Sequence, residues 1–201
     1  MGLLKKTLLF AFALVLVGGG IFYYLNSKDH YDPEKYSAKI TAPTAKSTSQ
    51  DVDVPDGAEI QAEEPSGLVL GMKVELTLPD QFDAPHTIGN DVTTLLFAFS
   101  KDAGGTVRGY LDKQDDAFLA THKARFIADI SPIPVVIRNT LALPKLRKSS
   151  YSVMLIYEEE MAAALMNTKH ESDIAVVTVA ENVVQNIQYI NGEAELAAMF
   201  E

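Results

Sequence analysis

The 201-residue sequence predicts an α/β domain, with helices packed on a mixed central sheet, behind an N-terminal apolar segment and a polar connector. Three observations carry that prediction. Thr93–Ser100 (TTLLFAFS), Arg125–Ile130 (RFIADI) and Val153–Tyr157 (VMLIY) are short apolar runs rich in strand-forming residues, the mark of strands covered on both faces. The stretches between them carry helix-start signals. Near the end, Ile174–Val179 and Asn182–Ile190 bracket Ala180-Glu181-Asn182 as the two arms of a hairpin.

The chain opens MGLLKK, and Lys5 and Lys6 precede an uncharged run from Thr7 to Leu25. As a helix that run would be about 28 Å long, close to the hydrocarbon thickness of a bilayer. Gly18, Gly19 and Gly20 are tolerated in a membrane helix, and Phe22, Tyr23 and Tyr24 fall where an aromatic belt meets the far interface. Residues 1–27 are therefore expected to be a single-pass membrane anchor. A cleaved signal peptide is the competing reading. Its apolar region would be about 7–15 residues long and end in small-x-small. Here the run is longer and no Ala-x-Ala follows it, which leaves open only a looser cleavage after the glycines. Both lysines lie ahead of the span, so the N-terminus is expected in the cytoplasm. The domain then lies in the periplasm or outside, held to the inner (cytoplasmic) membrane of a bacterium.

Residues 28–66 change character. Pro33, Pro43, Pro55 and Pro65 recur, and Asp51–Glu64 holds Asp51, Asp53, Asp56, Glu59, Glu63 and Glu64 with no base. Such a segment buries too little apolar area to offset its chain entropy, so it is expected to be a disordered linker. Residues 67–201 are expected to form one domain. Leu68–Leu78 contains its first strand, and Pro79-Asp80-Gln81-Phe82 and Ala84-Pro85-His86 are turns. Thr93–Ser100 is the first central strand. Asp102-Ala103-Gly104-Gly105 opens a helix running toward Leu119, and Arg125–Ile130 is the second central strand. Pro132–Leu146 is a helix started by Pro132 and Pro134 and loosened at Pro144. Val153–Tyr157 is the third strand, Glu158-Glu159-Glu160 a solvated turn, and Gly192–Phe200 the closing helix after the hairpin.

Composition narrows the function. The 17 Lys and Arg against 27 Asp and Glu give a formal charge of −10, which argues against a nucleic-acid partner. With no cysteine, thiol redox catalysis, thiolate-held metals and a lipidated cysteine are all excluded. The four histidines (His30, His86, His122, His170) show no metal-binding spacing, no phosphate- or dinucleotide-binding glycine motif exists, and no G-x-S-x-G elbow is present. No metal, cofactor or catalytic residue is expected.

The order strand–helix–strand–helix–strand, hairpin, helix resembles the thioredoxin fold. Leu76-Thr77-Leu78-Pro79-Asp80-Gln81-Phe82 followed by Leu95-Leu96-Phe97-Ala98-Phe99 is similar to the opening of peroxiredoxin and TlpA-like proteins. The stretch from Ala128-Asp129-Ile130-Ser131 to Lys148 resembles a group of exported, uncharacterised bacterial thioredoxin-like proteins. The resemblance implies a three-layer α/β/α sandwich. It also implies a redox cysteine in the loop after the first central strand, faced by a proline before the third. Here that loop is Ser100-Lys101-Asp102-Ala103-Gly104-Gly105, and Ser150-Tyr151-Ser152 stands where the proline would be. The expectation is a membrane-tethered thioredoxin-like domain without redox activity that serves as a protein-binding or scaffold module. A small-ligand binder or enzyme, and an envelope chaperone holding extended peptide, are the alternatives.

Two candidate sites follow. Backbone amides at a glycine-containing helix start bind anions, so Ser100, Lys101, Asp102, Gly104 and Gly105 form one candidate. Asp129 and Tyr151 are expected beside them, beyond the strand C-termini where ligands of open α/β sheets lie. The more ordinary reading of the loop is an N-cap by Ser100 or Asp102. The other candidate is a basic patch of Arg138, Lys145, Arg147 and Lys148 facing an acidic partner or lipid headgroups, with Arg138 and Lys145 on one helix face.

Overall fold

The computed structural model describes residues 18–24, 26–28, 31–42 and 67–201. Its elements are β1 (Ser37–Thr41), β2 (Lys73–Pro79), β3 (Pro85–Thr87), β4 (Thr94–Ala98), α1 (Lys101–Leu111), α2 (Phe118–Thr121) and β5 (Ala124–Asp129). Then come the helical rod α3, β6 (Val153–Ile156), α4 (Glu159–Leu165), β7 (Ile174–Ala180), β8 (Val183–Ile190) and α5 (Glu193–Ala198). The rod has three stretches: Val135–Ile137, a π-helical Arg138–Ala142, and Leu143–Leu146.

The sheet is mixed, in the order β1-β2-β8-β7-β4-β5-β6, with β3 beside β2. Strands β4, β5 and β6 are parallel, in the register Leu96↔Phe126↔Val153, and β7 is antiparallel to β4. The hairpin between β7 and β8 turns through Glu181 and Asn182, both at positive φ, the geometry a two-residue turn needs to match strand twist.

Alternation along each central strand divides the core. Leu96, Ala98, Phe126 and Val153 pack on α1, α2, α3 and α5 through Val107, Leu119, Leu143 and Leu196. Leu95, Phe97, Ile127 and Met154 point the other way, onto Leu76 and Leu78 of β2 and onto Met161 and Leu165 of α4. Strand β2 crosses this second face obliquely. Lys73 pairs with Val183 of β8, while Asp80, just past its end, bridges Met154 of β6. One outer layer is thus helical, and the other is β2 together with α4.

Several boundaries differ from the sequence reading. Helix α1 stops at Leu111 because Lys113–Asp116 offers no apolar position to bury, and Asp115 Oδ1 accepts the Ala117 amide in a competing local turn. Rod α3 starts at Val135, after both prolines, since a residue before proline is driven from helical backbone. Glu159 and Glu160 are not a solvated turn. They open α4, where their charge complements the positive end of the helix.

The largest correction concerns residues 28–66. Disorder does not hold at Ser37–Thr41, which pair antiparallel with β2 from Ser37↔Thr77 to Thr41↔Lys73. Ala38 and Ile40 alternate inward against the second core, and the buried Tyr36 donates its hydroxyl to the Asp83 carbonyl at 3.1 Å. The acidic window 51–64 lies outside the described residues. Most of the expected anchor, residues 7–25, also lies outside them. Residues 18–24 are helical, and no helix among the described residues is long and apolar enough to cross a membrane.

Candidate functional site

The segment after β4 is the first candidate. Ser100 has extended backbone (φ −122°, ψ 161°), and its hydroxyl oxygen accepts the Ala103 amide at 3.2 Å. Gly104 donates its amide to the Ser100 carbonyl at 3.0 Å. The stretch is therefore an N-cap followed directly by helix, not a glycine loop. Gly104 and Gly105 sit inside α1, and Lys101 and Asp102 are exposed on its first turn.

Asp129 closes β5, at the same edge as Ser100. Its Oδ1 accepts the Ser131 amide at 2.9 Å. Burial pushes its carboxyl above the ordinary value, against the hydrogen bonds from Ser131 and the positive charge of Arg138. Tyr151 does not join them. It precedes β6, and β6 runs parallel to β5, so Tyr151 lies at the opposite end of the strands. There its hydroxyl donates to Asp112 Oδ1 at 2.8 Å, just past the C-terminus of α1. Burial and that carboxylate push the phenol up to about 12.

The basic patch also separates. Arg138 is buried, with its guanidinium 4.9 Å from the Tyr157 ring centroid and donating to the Ile133 carbonyl at 3.2 Å. Lys145 and Lys148 are exposed. The π-helical stretch spends more residues per turn than an α-helix, so the seven-residue spacing no longer places Arg138 and Lys145 on one face. Arg147 is exposed, but its Nε donates to the Gln81 carbonyl at 2.8 Å.

That contact leads to Gln81, which the sequence places in a turn. Gln81 is 1% exposed. Its Nε2 donates to the Tyr151 carbonyl and its Oε1 accepts the Val153 amide, each at 2.8 Å. The side-chain amide thereby occupies the outer edge of β6 as a neighbouring strand would. Asp80, beside it, accepts the amides of Phe82 (2.8 Å) and Ala84 (3.0 Å) on Oδ1, while Oδ2 meets His86 Nε2 at 3.0 Å. Burial opposes ionisation, but these amides and His86 outweigh it and hold the carboxyl below its ordinary value.

Ser152 completes a serine–histidine–aspartate cluster that no sequence motif announced. Its hydroxyl lies 3.4 Å from both His86 Nε2 and Asp80 Oδ2. Both partners meet the same imidazole nitrogen, so the ring does not stand between hydroxyl and carboxylate. A proton relay needs the two nitrogens on different partners, and this cluster closes a turn instead. Among the described residues no group of histidines and carboxylates is placed to hold a metal ion.

An open polar cleft of about 370 Å³ runs beside the β6 edge, lined by Asn26, Gln81, Asp83, Asn139, Leu143, Arg147 and Tyr157. The chain ahead of β1 forms part of its wall. Asn139 Nδ2 donates to the carbonyls of Asn26 and Lys28, each at 2.9 Å. Tyr31 stacks between Tyr157 (4.6 Å between centroids) and Tyr36 (5.4 Å). No local sequence signal joins positions 26, 139 and 157; only the fold does.

No family model matches the chain, and no curated protein does. Among solved structures it is similar to a protein described as a disulfide isomerase from Bacteroides thetaiotaomicron, with 16% identity and a TM-score of 0.43 over 67% of this chain and 87% of that one. It is also similar to a peroxiredoxin-like protein from Aquifex aeolicus, with 12% identity and a TM-score of 0.41 over 67% of this chain and 86% of that one.

Proposed function

We propose that the chain is a membrane-tethered, extracytoplasmic domain of thioredoxin-like build that has no thiol chemistry and works as a protein-binding or scaffold module. One observation carries the reading. The polar groups around the strand ends are committed inward: Ser100 to Ala103, Asp80 to its own turn, and Tyr151 to Asp112. The polar cleft beside β6, by contrast, opens to solvent. Gln81, Asn139 and Arg147 in its wall are also bonded within the fold, so what the cleft offers a partner is an open, concave and rigidly held surface. A chaperone adding a peptide strand at β6 is disfavoured because Gln81 already holds that edge.

The test is photo-crosslinking of the full chain in its own envelope membranes, with a probe at Asn139 and a control probe at Lys123. The expected result is a discrete adduct from position 139 alone, weakened by Arg147→Glu. Equal adducts from both positions, or none, would overturn the module. Peroxidase or disulfide-exchange turnover by the purified chain would overturn its non-redox character.

A further inference from the structure

Large apolar side chains that remain in water are unevenly distributed. Among the described residues they are residues 21–24 (IFYY), Leu70, Phe82, Ile137 and Leu141. All but Leu70 lie within a few residues of the cleft-lining Asn26, Gln81, Asp83 or Asn139. Asn139 holds the backbone of Asn26 and Lys28, directly after residues 21–24, and Ile137 and Leu141 flank it on α3. Phe82, 58% exposed, lies between two residues that line the cleft beside Asn26.

The exposed side of α3 continues this pattern. Leu141 is 63% exposed and Ile137 44%; the exposed Lys145 follows one turn on, and the exposed Lys148 lies in the turn just past the helix end. Residues 135–148 contain four bases and no acid, in a chain whose formal charge is −10. An apolar ridge continued by lysines is the pattern of a helix lying in a bilayer interface, apolar tips among the upper acyl carbons and ammonium groups at the phosphates.

We infer that the exposed ridge Ile137–Leu141–Lys145 of α3, with Lys148 in the turn that follows, docks on the anionic lipid surface at the outer end of the chain's own anchor. The occupant follows from connectivity. The ridge carries the side chain that fixes Asn26 and Lys28, the first residues beyond the uncharged run ending at Leu25, so a bilayer holding that run lies beside it. The inference rests on the anchor reading of residues 7–25. It adds that the domain sits on the membrane in a fixed pose.

The natural chain has no tryptophan, so a single introduced indole reports without background. The experiment reconstitutes full-length Leu141→Trp into vesicles of phosphatidylcholine and phosphatidylglycerol whose acyl chains carry bromine near the headgroup. Leu70→Trp is the control. The expected result is blue-shifted, bromine-quenched emission from position 141, unquenched emission from position 70, and loss of the position-141 quenching when Lys145→Glu and Lys148→Glu are added. Vesicle flotation that resists alkaline carbonate, with position 141 unquenched, would overturn the docking and leave the anchor standing. Failure to float would overturn the anchor and the docking together. Quenching that survives both lysine replacements would overturn the role of anionic lipid.

Discussion

Gln81 Oε1 accepts the Val153 amide at 2.8 Å, while its Nε2 reaches the Tyr151 carbonyl two residues earlier. The side chain reproduces a peptide group facing an edge strand, at a position 1% exposed. Gln81→Ala strands one donor and one acceptor in a dry site, so it is expected to cost about 2–4 kcal/mol in denaturant unfolding. Gln81→Glu replaces the donor with an oxygen facing the Tyr151 carbonyl, and its loss should be of similar size. A cost below that of an ordinary surface substitution would refute the role.

Asp80 and Asp129 should respond to acid in opposite directions. Asp80 has a depressed folded value, so it contributes stability above the ordinary carboxylate range that is lost as pH falls through the folded value. Asp80→Ala is expected to be destabilising at pH 7, with the gap to the natural protein closing in acid. Asp129 has a raised folded value, so its ionisation weakens the fold as pH climbs through that window. Asp129→Asn keeps an oxygen for the Ser131 amide and should melt no lower than the natural protein at pH 7. Melting temperatures across the acid range check both.

Tyr151 sets an alkaline limit. In the unfolded chain its phenol ionises near the ordinary 10.0, but beside Asp112 it resists until about 12. The contribution is intact below 10.0 and falls between the two values, because there the unfolded state sheds the proton first. Tyr151→Phe should flatten this decline relative to the natural protein. An unchanged slope in alkaline unfolding curves would count against the contact.

Helix α1 carries glycines that it does not need for space. A Cβ on Gly105 would meet nothing within 4 Å, and one on Gly104 would meet only Ala98 Cβ at 3.9 Å. Gly105→Ala is expected to stabilise the domain by about 0.5–1 kcal/mol through backbone entropy. Ser100→Ala should cost about 1 kcal/mol by removing the cap. Thermal unfolding of the two variants should move in opposite directions.

Gly67 shows the contrary case. It lies at φ +89°, and a Cβ there would fall 2.6 Å from the Met166 carbonyl carbon. Gly67→Ala should therefore cost at least about 1 kcal/mol, from strain at positive φ and collision with fixed backbone. Circular-dichroism melts set beside Gly105→Ala make the contrast direct.

The sequence exposed those parts of the fold whose cause is local. Thr94–Ala98, Ala124–Asp129 and Val153–Ile156 declare themselves through apolar runs, and Ser100 through cap chemistry at a helix start. Causes that act between distant residues left no local trace. Ser37–Thr41 is a strand because β2 offers an edge and a core for Ile40, and Arg138 is buried because a π-helical stretch turns it inward under Tyr157. Asp80 and Gln81 were visible as a turn. Their reach to Ser152, Tyr151 and Val153 depends on β2 crossing the sheet, which no spacing encodes.

Thr41 pairs with Lys73 in the sheet, and Gly67 lies against Met166 just past α4, so residues 43–66 leave and re-enter one folded body. A segment with both ends held by the same body cannot act as a spacer, however many residues it holds. Its length enters the energetics as loop-closure entropy, about 0.6 kcal/mol for each doubling. In the anchored arrangement proposed above, the height of the domain over the bilayer follows from the short stretch between Leu25 and Tyr31, and trimming the acidic window is expected to leave that height unchanged.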